Sequence, residues 1–158
     1  MVLAGFDPGS IVTGYGVIVI EEGRFKALEY GCIRTGKKTT LADKLEQIYQ
    51  DVESVLREYQ PEEVVVEKAF YHKNAQVSMI LGHVRGVIML AARLNKAHVV
   101  EMTPTAIKKM VTGNGSAGKD RVKYMATRLL GLKLPPESAD AADALGMALA
   151  HALCTTRG

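Results

Sequence analysis

Hydrophobic residues along the chain occur both in short continuous runs and in longer stretches with helical spacing. The runs at residues 2–6 and 64–66 are short, and each is followed at once by a carboxylate. We therefore predict two strands that are buried on both faces of a sheet. Residues 13–20 are rich in β-branched side chains, and residues 25–35 follow them after the turn signal Glu22-Gly23. These two segments are predicted to form an antiparallel meander with the first strand.

Apolar residues at helical spacing predict the helices. Thr40 and Asp43 resemble a capping box before the first helix, which Pro61 ends, and Ser138 caps the last helix. Because a helix precedes the strand at 64–67, we predict that this strand is parallel to an earlier one. The order of elements predicts an α/β fold in one domain over residues 1–158, with a five-stranded mixed sheet flanked by helices. The remaining helices are predicted at residues 74–95, 104–111 and 119–130, and the fifth strand at 98–101.

The helix at 74–95 carries apolar side chains around most of its circumference. A helix on the outside of a sheet can bury only one face, so we expect a homodimer through this helix. Burial under another helix of the same chain is the alternative. The apolar run near residues 87–92 is bounded by Arg85 and Arg93 and is too short to cross a bilayer, so no membrane contact is expected.

Composition adds few constraints. The 158 residues carry a formal net charge of +3, which by itself says little about a polyanionic partner. One domain of this length can bury a core without disulfides. Cys32 and Cys154 lie far apart in a chain without a basic and then apolar leader. We therefore expect a cytoplasmic protein in which both cysteines are small buried apolar residues.

Four acids stand where the sequence is otherwise apolar. Asp7 follows the first strand, Glu67 ends the strand at 64–67, and Asp140 and Asp143 share one face of the last helix. If they converge, their repulsion raises the pKa of some of them unless hard divalent cations neutralise them. Oxygen ligands without Cys or His favour Mg²⁺, with Mn²⁺ as a substitute. Two such ions would suit the hydrolysis of a phosphodiester.

Each acid also has a local alternative role. Asp7 could form an Asx-type turn, Glu67 could pair with Lys68 or Lys73, and Asp140 could interact with the helix N-terminus. These alternatives allow the acids to lie apart, whereas a metal site requires them to meet.

The glycine-rich loop at residues 113–120 matches the spacing of a dinucleotide-binding motif and nearly matches a phosphate loop. Both motifs lie between a strand and a helix, whereas this loop follows a helix, and Asp120 replaces the Ser or Thr that would hold magnesium. The loop, with Lys119 at a helix start, still suits a phosphate of some kind, including one in a nucleic-acid backbone. Positive charge is concentrated near it by Lys108, Lys109, Arg121 and Lys123. A solvated basic helix face is the alternative.

Several segments resemble signature segments of the RuvC family of bacterial Holliday junction resolvases, and together they span nearly the whole chain. The resemblance implies a ribonuclease H-like fold, a homodimer, and magnesium-dependent paired nicking of four-way DNA junctions in recombination and repair. The segments are GFDPGS at 5–10, TGYGV at 13–17, GCIRT at 31–35, VEKAF at 66–70, KNA at 73–75, the glycine-rich loop, and ADAADAL at 139–145.

Carried over by position, the resemblance makes the four acids the catalytic and metal-binding residues. It matches Phe70 to an aromatic that stacks on a base at the junction centre, and Lys108 and Lys119 to basic residues near the scissile phosphates. It also implies RuvA and RuvB homologues as partners, and it leaves the role of His72 open. Further DNA contacts are expected from Tyr71, Lys73, Asn74, Lys109 and Arg121.

The leading hypothesis is therefore a structure-selective DNA endonuclease. One alternative is a relative of actin-like ATPases, because Asp-x-Gly after a first strand can cradle nucleotide phosphates through a metal. The other is a junction-binding module without catalysis. Nicking of a synthetic four-way junction in Mg²⁺ distinguishes the nuclease from both.

Overall fold

One mixed sheet is formed by β1 (Val2–Asp7), β2 (Val12–Glu21), β3 (Arg24–Arg34), β4 (Glu63–Glu67) and β5 (His98–Met102). The structure is a computed structural model and describes residues 1–68 and 74–156. The strand order is β3-β2-β1-β4-β5. Strand β2 pairs antiparallel with both β1 and β3, whereas β4 pairs parallel with both β1 and β5. The predicted meander and the predicted parallel strands are both confirmed.

The helices lie close to their predicted bounds because local signals at their ends are strong. Thr40 and Asp43 form the predicted capping box, and Gln60, with a left-handed φ of 45°, ends the first helix before Pro61. Ser138 accepts a hydrogen bond from the backbone of the last helix. The helices are α1 (Leu41–Tyr59), α2 (Ala75–Leu94), α3 (Pro104–Thr112), α4 (Lys119–Leu129) and α5 (Ala139–Thr155).

The sheet separates two apolar cores, so the described part of the chain has three layers. Successive side chains of a strand point to opposite faces. In β1, Leu3 therefore packs with α3, α4 and α5, whereas Ala4 and Phe6 pack with α1 and α2. Strand β1 is central in the sheet and, as predicted from its sequence, is buried on both faces.

Two expectations from the sequence are wrong. The helix α2 has 20 residues and is long and apolar enough, by length and composition alone, to cross a membrane. The run at residues 87–92 is only part of this helix, so the expected length limit is wrong, whereas the absence of membrane contact stays a prediction. The buried residues Val84 and Ile88 of α2 pack in the apolar core on the same side of the sheet as α1. The cysteines are also not buried, since Cys32 is half-buried and Cys154, near the end of α5, is exposed.

Glycines in β1 and β2 let α5 pack directly on the backbone of the sheet. A Cβ atom on Gly5 would lie 2.2 Å from the carbonyl oxygen of Ala144, and one on Gly14 would lie 2.1 Å from that of Asp140. A Cβ atom on Gly16 would also lie within 3 Å of α5. No other residue fits these positions, so the glycines determine how closely α5 approaches the strands.

We predict that Gly5→Ala lowers the free energy of unfolding by about 1–3 kcal/mol, because α5 must move away from β1 to admit the methyl group. Urea denaturation measures the change. Gly118→Ser is the control, because a Cβ atom on Gly118 meets no atom within 4 Å and serine is a good N-cap for α4. Equal stability of Gly5→Ala and the parent protein would show that α5 is not held this closely.

Candidate active site

A cavity of about 270 Å³ opens at the edge of the sheet where β1 and β4 end. Phe6 of β1 pairs with Val66 of β4 in parallel register, so the next residues, Asp7 and Glu67, end neighbouring strands. Asp143 of α5 reaches the same cavity. Three carboxylates from distant parts of the chain therefore meet at one place. The lining residues are Asp7, Glu67, Pro104, Ile107, Lys108, Lys119, Val122, Asp143 and Met147.

Asp140 lies beside this cavity and is not among its lining residues. Its backbone rests on Gly14, which is the register partner of Asp7 in the β1–β2 pair. Asp140 is close enough to Asp7 to contribute to the raised pKa of that carboxyl. The structure therefore brings Asp140 near Asp7, and it also places Asp140 in the first turn of α5, as its local alternative expected.

In the cavity, the negative charge of the carboxylates is only partly balanced by the positive charge of the lysines. Burial, followed by the charges of Asp143, Glu67 and Asp140, raises the pKa of Asp7 from 3.8 to about 7, although Lys119 opposes the change. Burial and Asp143 likewise raise the pKa of Glu67, against Lys119 and Lys108. A buried carboxyl among other carboxylates favours its neutral form unless a cation is added.

Lys119 forms an ion pair with this group of acids. Its Nζ donates to Oδ2 of Asp143 at 2.5 Å, and this hydrogen bond is the main cause of the raised pKa of the Lys119 ammonium. Lys119 is the first residue of α4, so the glycine-rich loop before it serves to place a lysine over the acids. The loop follows α3, which is not the context of a nucleotide-binding motif.

The donor set fits a hard divalent cation by its chemistry, because it consists of carboxylate oxygens whose mutual repulsion a cation would relieve. Within residues 1–68 and 74–156, no three His, Cys, Asp or Glu side chains lie close enough to hold one ion. Asp143 is instead bound to Lys119. The acids therefore converge on one cavity without surrounding an ion site. For Asp143 to bind an ion directly, its contact with Lys119 would have to be replaced by a contact with the ion.

Two contacts that position these acids were not predicted. Arg85 of α2 donates from Nε to the backbone oxygen of Glu67 at 3.1 Å, and its guanidinium pairs with Glu101 of β5. One cation thus holds the ends of both parallel strands. In the sequence, Arg85 stands out only as an interruption of an apolar run, because its partners lie on other elements.

The second contact fixes the position of α5 along β4. His151 Nε2 lies 2.6 Å from Oε2 of Glu63, at the start of β4. From Glu63 to Glu67 the strand advances about 13 Å, and from Asp143 to His151 the helix advances about 12 Å. Contact at one end therefore places Asp143 beside Glu67 at the other end.

The remaining predicted site residues are distributed around this centre. Lys108 lines the cavity, whereas Lys109 and Arg121 are exposed and lie outside its lining. Asn74 caps α2 by accepting hydrogen bonds from the backbone of the first turn. The predicted contacts of Phe70, Tyr71 and Lys73 fall outside the described residues, as does His72.

The sequence is similar to one family over nearly its full length. The family model described as "Crossover junction endodeoxyribonuclease RuvC" matches residues 3–151. A protein of that name from Desulforamulus reducens is 40% identical over 96% of this chain and 93% of its own length. One from Legionella pneumophila is 43% identical over 95% of this chain and 86% of its own length.

Solved structures agree with the sequence comparison. Thermus thermophilus RuvC superposes with a TM-score of 0.92 at 31% identity, over all of this chain and 97% of that one. The same protein in complex with a Holliday junction substrate superposes with a TM-score of 0.91 at 29% identity and with the same coverage. The fold is shared with the yeast mitochondrial Holliday junction resolvase, which superposes with a TM-score of 0.71 at 11% identity. The predicted ribonuclease H-like fold is confirmed.

We predict that Asp7→Asn stabilises the metal-free protein at pH 8. Folding raises the pKa of Asp7 to about 7. The protonated Asp7 carboxyl therefore contributes to the free energy of unfolding at low pH, and this contribution is lost as the pH rises through 7. The parent Tm should therefore fall more than the variant Tm between pH 5 and pH 8. At pH 8 the free energy of unfolding of Asp7→Asn should exceed that of the parent by about 1–4 kcal/mol. Each kcal/mol should raise the Tm by about 2–4 °C.

Thermal unfolding in a chelating buffer measures this difference. Glu21→Gln, at an exposed acid at the far end of β2, is the matched control and should follow the parent. If the Tm of Asp7→Asn falls with pH as steeply as that of the parent, Asp7 does not carry the repulsion.

Proposed function

Because this chain belongs to the RuvC family of crossover junction endodeoxyribonucleases, we propose that it resolves four-way DNA junctions by paired, symmetric nicks at the cavity described above. The observation that supports this proposal best is the convergence of Asp7, Glu67 and Asp143 on one cavity, with Asp140 close enough to raise the pKa of Asp7. The reaction would serve homologous recombination and repair in the cytoplasm.

The four acids would hold Mg²⁺, with Mn²⁺ as a substitute and two ions in each site. Bound there, the ions would activate the attacking water and stabilise the leaving oxygen of the scissile phosphodiester. The protein contributes the rest. Arg85 holds the backbone of Glu67, and the glycines of β1 and β2 hold α5 with Asp140 and Asp143, so three of the four acids are placed before any ligand arrives. Preorganised charge of this kind needs little rearrangement during the reaction.

Lys119 and Lys108 would act on the DNA. Both line the cavity with the acids, and an ammonium group beside a phosphate neutralises its charge and the charge that develops in the transition state. If Asp143 were engaged in holding an ion, the Lys119 ammonium, now paired with Asp143, would be available to the phosphate. Stacking of Phe70 on a base, and DNA contacts from Tyr71, Lys73, Asn74, Lys109 and Arg121, remain predictions from the family resemblance.

The proposed homodimer uses the outer face of α2. Met79, Leu90 and Leu94 are 65%, 56% and 60% exposed, and they lie on one stripe with Gly82 and Gly86. A Cβ atom on either glycine would meet no other atom within 4 Å. Two copies of this stripe could approach closely at the glycines and bury the flanking apolar side chains about a twofold axis. A twofold dimer presents two active sites to a junction with matching symmetry. RuvA and RuvB homologues are the proposed protein partners.

We predict that Asp7→Asn binds a four-way junction as the parent does but loses nicking in Mg²⁺ by at least about a hundredfold, because only metal ligation is lost. End-labelled synthetic junctions, compared with plain duplex, measure both properties. Glu21→Gln should nick at the parent rate.

Parent-rate nicking by Asp7→Asn would exclude Asp7 as a ligand. Salt-sensitive binding by the parent with no nicking in Mg²⁺ or Mn²⁺ would instead support the junction-binding module. Heat release on titration with ATP would support the actin-like alternative.

We predict that Leu90→Glu converts the dimer to a monomer at micromolar concentration, because two buried carboxylates would face each other across the twofold axis. Sedimentation velocity measures the change. Leu134→Glu is the matched control, since Leu134 is also an exposed leucine but lies between α4 and α5. A parent protein that is already monomeric, or a Leu90→Glu variant that stays dimeric, would contradict the proposed interface.

A further inference from the structure

The first turns of α2 contain no buried residue in the described part of the chain. Val77 and Met79 are apolar but exposed, and the other residues at 75–83 are at most half-buried. A segment that buries little apolar surface is among the least stable parts of a fold. The apolar core therefore does little to hold these turns in place. The buried residues of α2 all follow this segment, and they are Val84, Ile88, Ala91 and Ala92.

Two glycines weaken the turn of α2 that carries Arg85. Gly82 and Gly86 lie on either side of Arg85, and a Cβ atom on either glycine would meet no other atom within 4 Å. A glycine inside a helix lowers helix stability by roughly 0.5–1 kcal/mol relative to alanine. The packing of the described part of the chain does not require glycine at either position. The two glycines instead leave room for a second backbone, which in the proposed dimer is the same helix of a second copy.

Arg85 links this turn of α2 to the candidate active site. Its side chain is 18% exposed. Nε donates to the backbone oxygen of Glu67 at 3.1 Å, and the guanidinium also pairs with Glu101. Because the guanidinium is a rigid planar group, movement of the turn is passed on to the end of β4. Glu67 would then move relative to Asp7 and Asp143, which line the same cavity.

We propose that Arg85 couples dimerisation to metal binding. In the monomer, the turn from Gly82 to Gly86 is loosely held, and Arg85 does not fix Glu67 in one position. In the dimer, a second copy of α2 covers this turn, so that Arg85 holds the end of β4 beside the other acids. Arg85 is thus a positioning residue that acts through Glu67. The inference rests on the proposed nuclease and its proposed dimer, and it restricts nicking to the form that presents two sites to a junction.

The test is a Mn²⁺ titration of dimer and monomer, followed by electron paramagnetic resonance. The parent is measured as the dimer, and Leu90→Glu supplies the monomer. We expect the monomer to bind Mn²⁺ at least about fivefold more weakly, although the charge of its added carboxylate would by itself attract the cation. Leu134→Glu adds the same charge outside α2 and should bind Mn²⁺ as the parent does.

A second pair of variants tests whether Arg85 carries the coupling. Arg85→Gln should bind Mn²⁺ more weakly than the parent, and adding Leu90→Glu to it should change the affinity by less than about twofold. Arg57→Gln is the control, because Arg57 is an exposed arginine of α1 that pairs with Glu53. It should keep the full difference between dimer and monomer. Circular dichroism confirms that each variant is folded.

Linkage is reciprocal, so saturating Mn²⁺ should tighten the parent dimer at least about fivefold in sedimentation velocity. This measurement needs no monomeric variant. Equal Mn²⁺ affinity of dimer and monomer, or full coupling in Arg85→Gln, would overturn the inference while leaving the metal site and the dimer intact. A parent protein that is monomeric, or that binds no Mn²⁺, would overturn it together with the proposed dimer or the proposed metal site, so the failures are distinct.

Discussion

The direct packing of α5 on the glycines of β1 and β2 is the constraint on which the candidate site depends. Side chains at Gly5 or Gly14 would displace the backbone of α5, and with it Asp140 and Asp143. The same layer of small residues is why α5 can be buried almost all round while carrying two carboxylates at its start. A buried helix is normally apolar throughout, so acids there need a reason other than stability.

That reason is found in the balance of charge at the carboxyl ends of the strands. The fold brings together acids whose burial and repulsion raise the pKa of Asp7 and Glu67. It offsets this cost only in part, through Lys119. A site with an uncompensated negative charge is ready for divalent cations, and the lysines Lys108 and Lys119 line the same cavity. The two together suit a substrate whose phosphates must be bound and also attacked.

Most of the fold could be predicted because its signals are local. Thr40, Asn74 and Ser138 mark helix starts by hydrogen bonds to the next few residues, and the strands are short apolar runs. The acids could be identified because each interrupts an apolar context. What the sequence did not reveal depends on distant partners. Arg85 contacts Glu67 and Glu101 on two strands. The His151–Glu63 contact joins residues 88 apart, and the exposure of Cys154 depends on which face of α5 meets the sheet.

The central claim is that these acids bind divalent metal ions, and a Mn²⁺ titration followed by electron paramagnetic resonance tests it most directly. The account predicts that the parent protein binds Mn²⁺ and that Mg²⁺ displaces it. Asp7→Asn and Glu67→Gln should each weaken binding at least about tenfold, whereas Glu21→Gln should bind as the parent does. Equal Mn²⁺ affinity in all four proteins would contradict the account.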